Sequence, residues 1–205
     1  MQTSFSISKL KFLSFLLLLL SSALVQGQSW SLKKNEEGIK VYTKPVEDSD
    51  IDAFRAIGVV KAKQSSILAT LNDADDFCAW MPNCHLARLE KREGKHQYHY
   101  VETKTPFPLD NRDCFYHFEY LPGKSQTKIT IEGLPKYGPA KDGIVRMPAI
   151  NGFWLLEPIN ANETKVTYQL QIDPGGSIPS WVANMGSIDL PFDTLHNMRA
   201  HLAKK

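Results

Sequence analysis

Metal, nucleophilic or acid–base chemistry in this chain of 205 residues would have to be built from six histidines, three cysteines and a few clustered acids. His96 and His99 look like a ligand pair, but on a strand an odd separation sends them to opposite faces. His99 with His117 lacks a third ligand at a recognisable spacing. Cys78 and Cys84 lie six apart and Cys114 stands alone, so no Cys-x-x-Cys pair supports a zinc or thioredoxin-like site. A Cys78–Cys84 disulfide and three small buried thiols are both compatible with this spacing. The run Asp73-Ala-Asp-Asp76 reads as a solvated helix-capping turn, because a calcium loop needs further oxygen ligands at alternating positions. Gly-x-Ser-x-Gly, a glycine-rich phosphate loop and a hydrolase-type Cys–His spacing are all missing. Neither a metal nor a cofactor is expected.

The elements that hold these residues fit one domain. Apolar residues make up 42% and charged residues 22%, a globular mixture. Lys9 and Lys11 supply the whole excess of 24 bases over 22 acids, so residues 28–205 are neutral. Neutrality argues against a nucleic-acid partner and against charge alone holding the protein to anionic lipid. Residues 1–27 read as a cleaved secretory signal peptide: Lys9 and Lys11 flank the apolar run Phe12–Leu20, small residues follow, and Val25-Gln26-Gly27 is a workable cleavage site. The run falls short of the roughly 20 residues of a spanning helix. A single domain over 28–205, periplasmic or secreted and soluble, is the expectation.

Strand signals dominate that domain. Val166, Tyr168, Leu170 and Ile172 alternate with polar neighbours, as do Ile129 and Ile131, giving one dry and one wet face. Residues 53–62, 85–92, 96–104, 113–121, 143–149 and 151–157 are further candidates, separated by turns such as Pro122-Gly123. Together they predict an antiparallel meander that curls on itself. Residues 65–72 read as a helix capped by Ser65 or Ser66. A long helix opens at Ser177 or Pro179, and Trp181, Met185, Ile188, Phe192, Leu195 and Leu202 form an apolar stripe along it, with Gly186 and Pro191 inside. That stripe is either a plain core contact or one wall of a cavity.

Trp80, Arg112-Asp113, Gly143-Ile-Val-Arg146, Gly152-Phe-Trp154-Leu-Leu-Glu-Pro158 and Asp173-Pro-Gly-Gly-Ser-Ile-Pro-Ser-Trp181 fall in an order that resembles START domains, the lipid-transfer modules related to the steroidogenic acute regulatory protein. The likeness runs from about Trp30 to Leu202 and is greatest to the bacterial branch. It implies an α+β helix-grip fold, a long curved antiparallel sheet wrapped around the C-terminal helix with an internal apolar tunnel. It also favours the cavity reading of the stripe. The implied function is an exported, soluble carrier that shields one lipid (sterol, fatty acyl or phospholipid), without catalysis and with transient membrane contact, as a monomer. At about 0.8 kcal/mol per buried CH₂, some fifteen methylenes are worth on the order of 12 kcal/mol, so such a tunnel needs little polar machinery.

The expected ligand-binding residues are His99, Arg112, Tyr116, Phe118, Met147 and Trp154 from the strands and their connections, with Trp181, Met185, Ile188, Phe192 and Leu195 from the helix. Counting without gaps from Arg112-Asp113 turns Arg112, Cys114, Tyr116, Phe118 and His99 inward. The same count leaves Tyr98 and Tyr100 outside, and a bulge would reverse it. The facing acid and arginine of some animal members fall on His99 and Phe118 here, so their sterol preference does not transfer. Arg112 has a second reading, as anchor of the preceding loop through a buried carboxylate. The loop 134–143, rich in Gly and Pro, is a candidate lid or a plain surface turn. The competing function is a cyclase- or hydrolase-type enzyme of the same superfamily using His99, Arg112 or Asp113 as acid–base groups. A structural subunit whose cavity serves only packing is the third.

Overall fold

The structure is a computed structural model describing residues 29–205; the leader expected at 1–27 lies outside the described residues. Three strands open the chain: β1 (Ser31–Glu36), β2 (Ile39–Val46) and β3 (Ser49–Val60). Helix α1 (Gln64–Asn72) and a 3-10 segment (Ala74–Ala79) follow. Next come β4 (Cys84–Glu93), β5 (His96–Thr103), β6 (Asn111–Pro122), β7 (Thr127–Gly133), β8 (Ile144–Arg146), β9 (Ala149–Asn160) and β10 (Glu163–Asp173). The chain closes with α2 (Ser180–Leu202). None of the described helices is long and apolar enough to cross a membrane.

The strands form one open sheet in the order β1-β2-β3-β10-β9-β7-β6-β5-β4, antiparallel throughout, with β8 alongside β6 in parallel. The expected strand over 143–149 is therefore two pieces, β8 and the start of β9, separated by Met147 and Pro148. β1 carries no alternation in the sequence because it is an exposed edge bearing Lys33, Lys34 and Glu36, whereas in β2 buried Ile39, Val41 and Thr43 alternate with the more exposed Lys40, Tyr42 and Lys44. β4 forms the other edge and exposes Glu90, Lys91, Arg92 and Glu93. Helix α1 begins after Lys63 and has no side-chain cap, so Ser65 and Ser66 lie inside it rather than capping it.

Alternation dictates which residues face the core. Phe54, Ala56 and Val60 of β3, Val166, Tyr168 and Leu170 of β10, Trp154 and Leu156 of β9, and Ile129 and Ile131 of β7 are all buried on the inner face. In β5 and β6 the register sets His99 against Tyr116, Gln97 against Phe118 and Val101 against Cys114, and these share that inner face with the core. Tyr98, Tyr100, Asp113 and Phe115 consequently point the other way.

That outer face is covered by the loop 134–143. Tyr137 stacks on Tyr98 (centroids 5.4 Å apart) and packs on Phe115 (5.3 Å). Gly138 sits so close to Phe115 that an added Cβ would lie 2.4 Å from its ring, so only glycine fits. Arg146 stitches the layer together: Nε donates to Asp113 Oδ1 (2.6 Å), Nη2 to Asp113 Oδ2 (3.1 Å), and its remaining N–H groups reach the carbonyls of Pro135, Gly138 and Pro139. Tyr100 donates to Asp113 Oδ2 (3.0 Å), and the Arg88 and Lys141 cations lie over its ring. Of the two expectations for this loop, the lid is not what the structure shows: the segment is pinned to the back of the sheet. Its reason is chemical, since the back carries three aromatic rings that water would otherwise wet.

Helix α2 packs on β2 and β3. Its buried residues are Ser187, Pro191, Phe192, Thr194, Leu195 and Met198. The first half is held largely by polar contacts: Asn184 Oδ1 accepts from Asp52 N (2.8 Å), Asn184 Nδ2 donates to Asp50 O (3.0 Å), and Ser187 Oγ donates to Asp52 O (3.3 Å). The far end is tethered through Asp76, whose Oδ2 is 2.9 Å from both His201 Nε2 and Lys205 Nζ. The acidic run 73–76 thus ends in a clamp on α2.

Candidate functional site

An internal cavity lies between the inner face and the segment from α1 to Met81. Leu71, Phe77, Trp80 and Met81 form one side; Val101, Tyr116, Phe118, Ile131, Trp154, Tyr168 and Leu170 form the other. All eleven side chains are uncharged. The disulfide Cys78–Cys84 closes the loop that carries Trp80 and Met81, which settles the cysteine alternatives: Cys114 is free and buried. Aromatic rings set the shape. Trp154 stacks flat on Tyr168 (3.9 Å, 9° between planes), Trp80 meets Trp154 edge-on (6.4 Å), and Phe77 meets Trp80 edge-on (5.6 Å).

The cavity is small in this conformation. The centre of a water-sized sphere has about 20 Å³ in which to move, room for roughly one water molecule. The Trp80 ring reaches across this space to Trp154, so among the described residues the cavity is far smaller than the roomy tunnel expected.

Among the expected ligand-binding residues, Tyr116, Phe118 and Trp154 line this cavity. Met147 is buried in the adjoining core. The α2 residues do not line it, since α2 runs along β2 and β3 rather than beneath β5–β7. Leu195 is buried in the core and Phe192 lies under the Lys34 ammonium (4.1 Å), while Ile188 is half-buried. Trp181 and Met185 are corrections: they are 68% and 56% exposed, on the outer side of the helix. The stripe fails there because the helix turns small polar residues, Ser187 and Thr194, toward the sheet. Leu71, Phe77, Trp80 and Met81 belong to the site without having been assigned to it. Their signal is aromatic and sulfur-bearing residues flanking two cysteines, which no helical or strand period marks.

His99 is fully buried between Phe118 (centroids 4.5 Å) and Phe77 (5.3 Å), behind the cavity wall rather than in it. The Gln97 amide satisfies both its ends with Nε2 on His99 Nε2 (2.9 Å) and Oε1 3.3 Å from the Arg92 guanidinium nitrogens. Burial, helped by the Arg92 charge, pushes the imidazole down to about 4, so His99 is neutral at physiological pH. Arg112 is buried and donates to the carbonyls of Asp110 and Gly175, tying the loop before β6 to the segment before α2. It is an anchor, through carbonyls and not the carboxylate considered above. Asp113 lies on the outer face. Hence His99, Arg112 and Asp113 do not converge on one reacting atom, as an acid–base mechanism requires. Among the described residues no cluster of three or more His, Cys, Asp or Glu is placed to hold a metal ion.

Residues 12–204 match the family model described as START domain. An uncharacterized protein of Pseudomonas aeruginosa is 35% identical over 180 residues, covering 87% of this chain and 89% of that protein. The mouse phosphatidylcholine transfer protein is 25% identical over 164 residues, covering 77% and 76%. The crystal structure of a STAR-related lipid transfer protein from Xanthomonas axonopodis superposes with a TM-score of 0.80 at 42% identity, covering 85% of this chain and 98% of that one.

Proposed function

This chain belongs to the START domain family, and on that premise we propose that it is a lipid carrier that holds one apolar ligand against the inner face of its sheet, without catalysis. The observation that carries the reading is the cavity: eleven uncharged side chains, most of them aromatic or large aliphatic, inside a family fold whose similar proteins include lipid-transfer proteins. Burying some fifteen methylenes there is worth on the order of 12 kcal/mol, enough to hold a lipid by exclusion from water.

Loading requires the cavity to widen. The first half of α2 offers the way, since it is fixed by a few hydrogen bonds to Asp50 and Asp52, contains Gly186 with open space around it, and meets a buried Pro191 before the firmly packed second half. The tether from Asp76 to His201 and Lys205 keeps the far end in place while the near end swings. Three exposed apolar groups support a membrane encounter: Phe107 (97% exposed) in the loop before β6, with Trp181 and Met185 on α2. Arg112 couples that loop to the segment that opens α2. Work outside the cytoplasm is part of the proposal, supported by the sequence of residues 1–27 and by the Cys78–Cys84 disulfide.

Native mass spectrometry of the purified protein, followed by solvent extraction, tests the reading. The expected result is one apolar ligand per chain, or uptake of one fluorescent sterol or fatty acid on addition. No enriched lipid and no uptake of either probe would overturn it.

A further inference from the structure

The cavity wall is not wholly apolar. Trp80 is buried, and its indole Nε1–H has no acceptor. A buried donor left unmet is costly, and native proteins rarely keep one without a use for it. Tyr116 and Tyr168 line the same space. Burial drives both phenols up from their ordinary value, and Tyr168 adds to the rise at Tyr116, so both stay protonated donors. Stacking on Trp154 fixes the Tyr168 ring, and the disulfide loop fixes Trp80. Trp80, Tyr116 and Tyr168 therefore all line one space that holds no charged side chain.

We infer that this cavity selects a lipid whose buried polar end is an uncharged hydrogen-bond acceptor, such as an ester or ketone oxygen, received by the Trp80 indole N–H with Tyr116 and Tyr168 beside it. The inference rests on the carrier reading above and narrows its ligand class. An acceptor oxygen satisfies the indole N–H. A carboxylate or phosphate brought to the same depth would leave water without a cation to meet it, since the lining offers none. A plain alkane fills the volume and leaves the indole unmet.

The test compares four probes of equal chain length on the full mature protein: methyl palmitate, hexadecane, palmitate at pH 8 and dipalmitoyl phosphatidylcholine, each by displacement of a bound fluorescent apolar dye. Methyl palmitate should bind at least tenfold more tightly than palmitate and about three- to tenfold more tightly than hexadecane, the range of one net hydrogen bond. The Trp80 indole N–H resonance should move downfield with the ester and not with the alkane. Trp80→Phe keeps the ring and removes the donor, so the ester-to-alkane affinity ratio should fall three- to tenfold; Tyr168→Phe gives a second reading should Trp80→Phe fold poorly. Hexadecane and methyl palmitate binding equally, with the indole resonance unmoved, would overturn the inference and leave the carrier reading standing. Phosphatidylcholine or palmitate binding more tightly than the ester would do the same. Failure of all four probes to bind would overturn both.

Discussion

On the inner face Tyr116, Phe118, Trp154 and Tyr168 border a space lined by uncharged side chains, bridged by the Trp80 ring against Trp154. One residue along each strand, on the outer face, Tyr98, Tyr100 and Phe115 are covered by a loop and laced with Asp113, Arg146 and Lys141. Both faces bury aromatic surface. The inner one uses contacts that have no preferred direction, which part and re-form around a guest at modest cost. The outer one uses a charge pair and hydrogen bonds that work only at fixed geometry. A carrier of this fold needs both: a rigid back on which the curvature of the sheet is set, and a front that yields.

Four experiments would break or sharpen that contrast. Arg146→Met leaves the Asp113 carboxylate buried and unpaired, and should lower stability by about 3–5 kcal/mol in urea unfolding while ligand affinity of the folded fraction is unchanged. A loss under about 1 kcal/mol, typical of an exposed pair, would show that the back is not rigidly clamped. Acid probes the front. His99 titrates near 4 when folded and near 6.5 when unfolded, so the unfolded chain takes up its proton first as pH falls. Stability should therefore decline between about pH 6.5 and 4 by up to about 3 kcal/mol, and level off below. His99→Gln should flatten that part of the pH profile.

Reduction of Cys78–Cys84 releases the loop bearing Trp80 and Met81. Closure of so short a loop is worth about 2 kcal/mol, so Cys78→Ser/Cys84→Ser should lower the midpoint in urea correspondingly and raise the rate of dye uptake. An unchanged uptake rate would show that this loop does not guard the cavity. The smallest effect belongs to the helix. Asn184→Ala removes two hydrogen bonds to the start of β3 and should cost about 1 kcal/mol or less, yet speed ligand exchange measurably in stopped flow. Slower or equal exchange would move the entrance away from α2.

How far the sequence spoke for this fold depends on what each segment touches. β10 is plain in the sequence, because Val166, Tyr168 and Leu170 face the core while their neighbours Lys165, Gln169 and Gln171 do not. The inward placement of His99 with Tyr98 and Tyr100 outside follows from counting alone, although hydrophobicity argues against it; the loop 134–143 resolves the conflict by giving the outer rings a cover of their own. α2 misled because its apolar pattern answers to more than one environment. Leu195 and Phe192 meet protein, Trp181 and Met185 meet solvent, and the buried line runs through Ser187 and Thr194, which no apolar period would select. The cavity's most telling members, Phe77 and Trp80, lie in a short 3-10 segment and the turn after it, where spacing carries no information about which way a ring points.

The open sheet has two free margins, and each is armed. β1 carries Lys33, Lys34 and Glu36, and β4 ends in Glu90, Lys91, Arg92 and Glu93, so a neighbouring copy that tried to extend the sheet would meet charged side chains over the second part of either edge. Charged margins of this kind discourage strand-to-strand pairing between copies, while Phe107 and Trp181 remain exposed elsewhere on the surface.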